Sequence, residues 1–277
     1  MSELQLLSNG SYHVLLTPAG HGFSCWGDMA ITRWRADATF DDGGARCYVL
    51  DHTSQSAGFP AKQQEPGSSS VLHHRHEIDF QIVMAVSFDD AMELRRVVIS
   101  NNGNQRRELS ATSYAEIVLT RNATDSAHLA FSKLFIETEV ETELQAILAT
   151  RRPSASDDPA PWFFHTVMIN GSTTGPLTFE TDRMRFLGRG RDAGNPQALV
   201  DGAGLSGSTG PVLDAVAAIR VPFVLEPGNS ITIDWLTGVS ATRQSCAALL
   251  RKVRNPGVVT QILQQGGEYQ RKLLLAL

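Results

Sequence analysis

A glycine-rich stretch near the N-terminus carries side chains that could bind a sugar. Tryptophan and phenylalanine rings can stack on the apolar faces of pyranose rings, and arginine and aspartate side chains can bind hydroxyl groups through forked hydrogen bonds. Glycines let the backbone approach a ligand closely. The alternative is a glycine-rich turn between two strands with buried tryptophans, and strand alternation would place Trp34 on the face opposite to its two neighbouring arginines. The candidate carbohydrate-binding residues are Gly20, His21, Gly22, Phe23, Ser24, Trp26, Arg33, Trp34, Arg35, Asp41 and Asp42.

Three other groups of residues could carry chemistry, but each has a simpler structural interpretation. His74 and His76 share a strand face without a paired cysteine or acidic ligand, so we predict neither a metal site nor any other cofactor. Adjacent acids such as Asp89 and Asp90 could form a glycosidase pair, yet such neighbours are typical of turns and solvated strand faces. The Gly-Arg-Gly-Arg sequence at 188–191 lacks the lysine and the strand-to-helix context of a phosphate-binding loop. We therefore assign no catalytic residue.

The charge balance and the apolar content argue against two classes of partner. The 277 residues contain 24 Lys and Arg against 29 Asp and Glu, and the basic residues are scattered in pairs, so nucleic acid is not an expected partner. No apolar run reaches the roughly 18 residues that a membrane-spanning helix requires, and the N-terminus lacks the features of a signal peptide. We therefore expect a cytoplasmic protein that does not insert into a membrane. Cys25, Cys47 and Cys246 are odd in number and far apart, which favours free thiols.

Apolar residues recur with a period of two over most of the chain. Between residues 78 and 86 they alternate with polar residues, which predicts a strand with one face on a core. Turn signals predict two hairpins, one at Asn-Asn-Gly-Asn 101–104 and one at Glu-Pro-Gly-Asn 226–229, each flanked by two alternating runs. Residues 1–240 are therefore expected to form an all-β domain, a large antiparallel β-sandwich.

Residues 241–277 are predicted to form a helical tail. Apolar residues recur at helical spacing over 246–253, and Asn-Pro-Gly at 255–257 then stops the helix. A second helical stretch begins near Val258 and weakens at the glycine pair 266–267. The apolar end of the chain could fold back on the sandwich, join a dimer interface, or begin a linker into a further domain. The linker is the interpretation that we favour.

Nine short stretches of the chain, taken in order, resemble the sequence of one known protein family. They are residues 6–12, 20–24, 32–35, 113–116, 130–135, 180–191, 205–210, 227–228 and 235–239. Together they resemble the N-terminal sandwich of the cellobiose and chitobiose phosphorylase family. The closest likeness is to the phosphorylase-like C-terminal region of cyclic β-1,2-glucan synthases, and it covers nearly the whole chain.

This resemblance implies a super-sandwich, related to the galactose mutarotase fold, joined by a helical linker to an (α/α)₆ barrel. In such enzymes an acidic residue of the barrel protonates the glycosidic oxygen while phosphate attacks the anomeric carbon. The barrel residues have no counterparts in this sequence, so phosphorolysis is not carried over, and we do not expect the chain to be an enzyme by itself. The resemblance also implies that the loop at 20–24 and the segment 33–35 help to shape a sugar site. If the chain is part of a larger synthase, it implies the cytoplasmic face of the inner membrane.

Three functions remain open on the sequence. The first is a non-catalytic sandwich that binds carbohydrate, with a β-1,2-linked glucan as the suspected ligand, or that accompanies a carbohydrate enzyme. The second is a module that dimerises or docks a separate (α/α)₆ barrel and binds no glycan by itself. The third is a mutarotase-like sugar epimerase, in which a histidine and a glutamate such as His165 and Glu180 would serve as acid and base.

Overall fold

Two large antiparallel β-sheets pack face to face, which confirms the predicted sandwich. The computed structural model describes residues 5–16, 22–33, 44–53, 56–58, 70–75, 77–153, 160–200 and 202–276. The strands are β1 (Gln5–Ser8), β2 (Tyr12–Leu16), β3 (Gly22–Trp26), β4 (Met29–Thr32), β5 (Arg46–Asp51), β6 (Ser56–Gly58), β7 (Ser70–Arg75), β8 (Ile78–Val86), β9 (Met92–Asn101), β10 (Arg107–Arg121), β11 (Ile136–Glu141), β12 (Ala146–Arg151), β13 (Trp162–Asn170), β14 (Thr178–Asp182), β15 (Gly210–Pro211), β16 (Ala215–Leu225) and β17 (Ser230–Ser240). The helices are α1 (Asn122–Ala127), α2 (Leu129–Ser132), α3 (Arg183–Leu187), α4 (Gln197–Val200), α5 (Arg243–Val253) and α6 (Pro256–Ala276), with a 3₁₀ helix at Lys133–Phe135.

The strands divide into a nine-stranded and an eight-stranded sheet. The nine-stranded sheet has the order β1-β2-β3-β4-β10-β16-β14, with β5 paired to β10 and β6 paired to β5. The eight-stranded sheet has the order β15-β11-β12-β13-β17-β9-β8-β7. The long strands β10 and β17 are central, because each lies between two antiparallel neighbours along most of its length.

Side-chain alternation along the strands builds the core between the two sheets. On β8, Ile78, Phe80 and Ile82 are buried, whereas Asp79 is half-buried and Gln81 is exposed, as the period of two predicts. Each fully buried aliphatic or aromatic side chain contributes about 1.5–3 kcal/mol of hydrophobic stabilisation. The alternating pattern therefore fixes which face of each strand turns inward.

The hairpin predicted at 101–104 is wrong. Strand β9 pairs with β8 and β17 in one sheet, while β10 pairs with β4, β5 and β16 in the other, so the connection crosses between the sheets. The side-chain amide of Asn101 donates to the carbonyl oxygens of Gln105 at 2.7 Å and Leu225 at 3.0 Å, which holds this crossing. Gly103 does not take the positive φ that a tight Asn-Gly hairpin turn requires.

The hairpin predicted at 226–229 is also wrong, because β16 and β17 belong to different sheets. The tight turn itself is present, and Gly228 has a φ of +76°. Its amide donates to the carbonyl oxygen of Asn101 at 2.8 Å, and the Asn101 amide donates to the carbonyl oxygen of Asn229 at 3.0 Å. The two crossings are therefore hydrogen-bonded to each other at one end of the sandwich.

Helices α5 and α6 cover the outer face of the eight-stranded sheet. The predicted first helix is confirmed, and it starts at a capping box in which the Thr242 hydroxyl accepts from the Ser245 amide at 3.1 Å. It ends at Val253, and α6 then begins with Pro256 at its first position, where proline is favoured. The predicted weakening at 266–267 is wrong, because α6 is continuous.

Gly266 explains why the glycine pair does not interrupt α6. A Cβ atom at this position would lie 3.0 Å from both the Ala85 Cβ and the Val86 carbonyl oxygen. The missing side chain therefore lets the helix approach β8 closely, and packing outweighs the low helix propensity of glycine. The backbone of α6 runs to Ala276, but the side chains of the apolar end, beyond residue 267, lie outside the described part of the chain.

The segment from α3 to α4 covers part of the outer face of the nine-stranded sheet. Tyr48 and Tyr114 pack there against Phe186, with the Tyr114 and Phe186 rings stacked at a centroid distance of 4.7 Å. The Tyr48 hydroxyl donates to the carbonyl oxygen of Ala193 at 2.8 Å. This anchors the segment that includes the Gly-Arg-Gly-Arg sequence.

Candidate functional site

Five of the predicted sugar-binding residues lie in the described part of the chain, on β3 and just after β4. These are Gly22, Phe23, Ser24, Trp26 and Arg33. The other six candidates, Gly20, His21, Trp34, Arg35, Asp41 and Asp42, lie outside the described residues.

Gly22 is required by close packing of three backbone segments. A Cβ atom there would lie 2.0 Å from the Leu15 carbonyl oxygen on the neighbouring strand. A Cβ on Gly44, whose φ is +131°, would in turn lie 2.6 Å from the Gly22 carbonyl oxygen. The Ala45 amide donates to that same oxygen at 3.0 Å. The glycines at this end of the sandwich therefore serve backbone approach within the protein.

Ser24 points into the sandwich, toward the opposite sheet. It is fully buried, and its hydroxyl donates to Glu93 Oε2 at 2.8 Å. Glu93 Oε1 accepts from Arg95 Nε at 3.2 Å, and the Ser24 amide donates to Thr32 Oγ1 at 2.9 Å. The Ser24 side chain therefore links the two sheets through its hydrogen bond to Glu93.

Phe23 and Trp26 are the half-buried aromatic residues of β3. Trp26 packs against the edge of the main core. Phe23 lines a cavity together with Arg33, Asn122 and Asp125. The volume of this cavity is about 20 Å³, close to that of one water molecule and far below the roughly 300–1,000 Å³ of ligand pockets.

Arg33 is buried at the centre of a group of carboxylates. Its Nε and Nη2 atoms donate to Asp125 Oδ2 at 3.0 Å and to Oδ1 at 3.1 Å, and Nη1 donates to Glu116 Oε2 at 2.8 Å. Burial alone would lower the pKa of Arg33, but the hydrogen bonds and charges of the two acids outweigh it and raise the pKa. The guanidinium is therefore fixed in its charged form by protein partners.

The contacts of Arg33 belong to a larger buried ion cluster that joins six elements. Glu116 Oε1 accepts from Arg183 Nε at 2.6 Å and from the Tyr114 hydroxyl at 3.1 Å. Asp214 pairs with Lys133 and lies 3.5 Å from Arg33 Nη1. The members of this ion cluster are Arg33, Glu116, Asp125, Lys133, Arg183 and Asp214, three cations and three anions.

Neighbouring charges within the ion cluster shift the pKa values of its acids. Burial would raise the pKa of Glu116, but Arg183 and Arg33 outweigh it and lower that pKa to about 2. Burial and the neighbouring charge of Glu116 raise the pKa of Asp214. Because positive and negative groups are equal in number and mutually paired, the cluster holds six elements together: the end of β4, β10, α1, the 3₁₀ helix, α3 and the segment before β16.

His165 and Glu180 lie in different sheets, and each is buried with its own partners. His165 Nε2 lies 2.8 Å from Ser113 Oγ, and Nδ1 lies 2.8 Å from Thr237 Oγ1. Burial lowers the pKa of His165 to about 3, and the charge of Arg95 acts in the same direction. Glu180 Oε1 accepts from the backbone amides of the two following residues, each at 2.9 Å. No hydrogen bond joins His165 to Glu180 among those of the described residues.

Two further properties follow from the described residues alone. No three or more His, Cys, Asp or Glu side chains among them are arranged to hold a metal ion, and none of their helices is both long and apolar enough to cross a membrane. The side chains of His74 and His76 lie outside this part of the chain. Cys25, Cys47 and Cys246 are free, as predicted.

Comparison with known proteins gives the sandwich its family. Residues 1–256 match the family described as glycosyl hydrolase 94, supersandwich domain. Cyclic β-(1,2)-glucan synthase NdvB of Rhizobium meliloti strain 1021 is 30% identical over 266 residues, which cover 92% of this chain and 9% of the synthase. Solabiose phosphorylase of Paenibacillus borealis is 27% identical over 172 residues, which cover 62% of this chain and 21% of the phosphorylase. The chain thus spans less than a third of the length of either relative.

The fold extends to proteins of much lower sequence similarity. The structure of a suspected aldose 1-epimerase from Escherichia coli K12 superposes with a TM-score of 0.50 and 7% identity, covering 87% of this chain and 100% of that one. At that identity the likeness concerns the fold alone, and it agrees with the expected mutarotase-like sandwich. Since the family match extends over residues 1–256, this chain belongs to the glycosyl hydrolase 94 supersandwich-domain family.

Proposed function

We propose that this chain is a non-catalytic sandwich domain of a cyclic β-1,2-glucan synthase or a related glycoside phosphorylase, and that it contacts a glucan near the start of β3 and the end of β4. The match of residues 1–256 to the supersandwich family carries this proposal. The names of the two relatives supply the substrate class, a glucan or an oligosaccharide. In this proposal the catalytic acid of the complete enzyme comes from another part of that enzyme.

The state of the buried acids and bases supports a non-catalytic role. An acid or base that exchanges protons near neutral pH works best with a pKa close to the operating pH. The pKa of Glu116 is instead lowered to about 2 and that of His165 to about 3. Both side chains are also enclosed by protein partners. We therefore assign them to stability.

In the predicted sugar-binding segment, we assign some residues to structural contacts and others to ligand contacts. Gly22, Ser24 and Arg33 have buried structural contacts that fix the ends of β3 and β4. In our proposal they position the residues that meet the glucan. The ligand contacts are then assigned to the half-buried rings of β3 and to the neighbouring polar and aromatic candidates, namely Phe23, Trp26, His21, Trp34, Arg35, Asp41 and Asp42.

Calorimetric titration with β-1,2-linked gluco-oligosaccharides tests this function, with β-1,4-linked ones as the ligand control. A few stacked rings should give a dissociation constant between about micromolar and millimolar. The variant Trp34→Ala should lose the selective binding while remaining folded. Trp162→Ala is the matched control, because Trp162 is half-buried on the outer face of the eight-stranded sheet, where Arg243 lies 5.6 Å from its ring. Unchanged affinity in a folded Trp34→Ala protein would contradict the site.

A second candidate function, self-association, is favoured by exposed apolar side chains beside the ion cluster. Phe131 is 63% exposed and Leu134 is 40% exposed, on the α2 and 3₁₀ segment that brings Lys133 to Asp214. Large exposed apolar groups at one place often mark protein interfaces. The partner in this proposal is a second copy of the chain.

Sedimentation velocity tests self-association. The unaltered chain should sediment as a dimer, and Phe131→Ser with Leu134→Ser should reduce it to a monomer. Val200→Ser is the control, since Val200 is 56% exposed but lies on α4. A monomeric unaltered chain at about 100 µM would exclude a dimer in the micromolar range.

A further inference from the structure

A surface pocket lies between α3 and the loop that precedes β16, and none of its lining residues is on β3 or β4. It has a volume of about 380 Å³, within the roughly 300–1,000 Å³ range of small-molecule pockets. Hydroxyl, carboxylate and guanidinium groups line it together with an apolar edge. The lining residues are Asp182, Arg185, Ser206, Gly207, Ser208, Thr209, Pro211, Val212 and Leu213.

The loop that forms the pocket is held in place by buried anchors. Glu180 is 2% exposed, and its Oε2 accepts from the Ser206 hydroxyl while its Oε1 accepts from the Asp182 amide at 2.9 Å. The Gly207 amide donates to the Phe179 carbonyl oxygen at 2.9 Å. Gly207 has a φ of +76°, which a residue with a side chain adopts rarely. The pocket is therefore preorganised, which reduces the entropy lost on binding.

The charges of the pocket indicate the chemical class of its ligand. Asp182 and Arg185 contribute one negative and one positive charge, so the lining has no net charge. A phosphate would meet the repulsion of Asp182, whereas a sugar can use both groups, because its hydroxyls donate to a carboxylate and accept from a guanidinium. Leu213 is 77% exposed and supplies an apolar surface for the C–H face of a ring. These features together suit a neutral polyhydroxylated ring.

We infer that this pocket is a second carbohydrate-contact site of the domain, which binds about one or two glucose units of a glucan. The inference rests on the proposed function for its ligand class, but it uses none of the residues on β3 and β4. In a full enzyme such a site would hold a long glucan at a second point, which raises avidity through effective concentration.

Nuclear magnetic resonance of the ¹⁵N-labelled chain titrated with β-1,2-linked glucotetraose tests the inference. The amide signals of Gly207 and Gly210 should shift in a saturable way. Arg185→Ala should weaken this binding at least about tenfold, since a charged hydrogen bond is lost. Arg189→Ala should leave it unchanged, because Arg189 is also exposed but does not line the pocket. Leu213→Ser is the second pocket variant, and it too should weaken the binding.

The separate signals distinguish this inference from the proposed function. No saturable shift at Gly207 and Gly210, or the same affinity in both pocket variants, would overturn the inference. A tighter response of these two signals to inorganic phosphate than to the glucotetraose would overturn the neutral ligand class. Shifts confined to Phe23 and Trp26 would refute the pocket and leave the proposed function standing. Shifts confined to the pocket would support the inference against the site on β3.

Discussion

Removal of the Arg33 side chain should destabilise this domain far more than removal of an exposed arginine. In Arg33→Ala, Glu116 keeps its contacts with Arg183 and Tyr114. Asp125, which is 4% exposed, loses both bonds of the fork and keeps the Ser132 hydroxyl at 3.0 Å. An uncompensated buried carboxylate is the main cost, and breaking a buried pair in this way costs about 3–5 kcal/mol.

The magnitude is large compared with the stability of a typical domain, which is about 5–15 kcal/mol. Urea unfolding, followed by tryptophan fluorescence, should show a lower midpoint with an unchanged slope. The double variant Arg33→Ala with Asp125→Asn should recover at least about 1 kcal/mol, since the stranded charge is gone. This recovery separates the electrostatic cost from the loss of packing around the arginine stem.

Arg121→Ala is the matched control for this measurement. Arg121 Nε lies 2.7 Å from Asp28 Oδ2, as close as any contact of Arg33, but the two side chains are 73% and 71% exposed. An exposed pair of this kind contributes only about 0–1 kcal/mol. A cost below about 1 kcal/mol for Arg33→Ala, or no recovery in the double variant, would refute the reasoning that burial makes this cluster important.

Two further predictions concern packing and pH. Gly266→Ala should lower the free energy of unfolding in urea by about 1–3 kcal/mol, because the new Cβ would lie 3.0 Å from the Ala85 Cβ. Gly257→Ala, in the first turn of the same helix, is the control and should be neutral or stabilising. Equal effects of the two substitutions would contradict the packing argument. Burial lowers the pKa of His165 from 6.5 to about 3. Between these two pH values the unfolded chain binds a proton that the folded chain does not bind. The free energy of unfolding that depends on the neutral ring is therefore complete above pH 6.5 and decreases as the pH falls toward 3. We expect the unfolding free energy of the unaltered chain to fall between about pH 6 and 4 more steeply than that of His165→Asn, by about 1.4 kcal/mol per pH unit. The same slope in both proteins would refute a neutral buried histidine.

The sequence predicted the strands better than it predicted their partners. Alternation over residues 78–86 identifies β8 and its buried face, because side chains of a strand point to opposite faces in turn. Turn signals at 101–104 and 226–229 are equally local, but each connection enters the opposite sheet. The decisive contacts join Asn101 to Gln105, Leu225, Gly228 and Asn229. Three of these four partners are more than 120 positions away in the chain.

The candidate site shows the same division. The resemblance pointed to the segments that contain Arg33, Glu116 and Arg183 without indicating that they touch. Arg33 meets Asp125 across 92 positions and Glu116 across 83, and no spacing rule relates residues so far apart. The sequence predicts that Arg33 binds sugar hydroxyls, whereas in the fold its guanidinium donates to the carboxylates of Asp125 and Glu116. Residues 205–210, which contribute to the pocket, entered the sequence analysis only through the family resemblance.

The sequence by itself determined the class of fold, the family and the position of several strands, because hydrophobic periodicity and residue order are local or cumulative signals. It also predicted the helix that the structure places at residues 243–253, through apolar spacing over 246–253 and the Asn-Pro-Gly stop at 255–257. Only the tertiary structure decided which strands cross between sheets, why α6 passes Gly266 without a break, and which charges neutralise one another. Each of those depends on atoms brought within a few ångströms by folding, and the energy of such contacts falls steeply with separation.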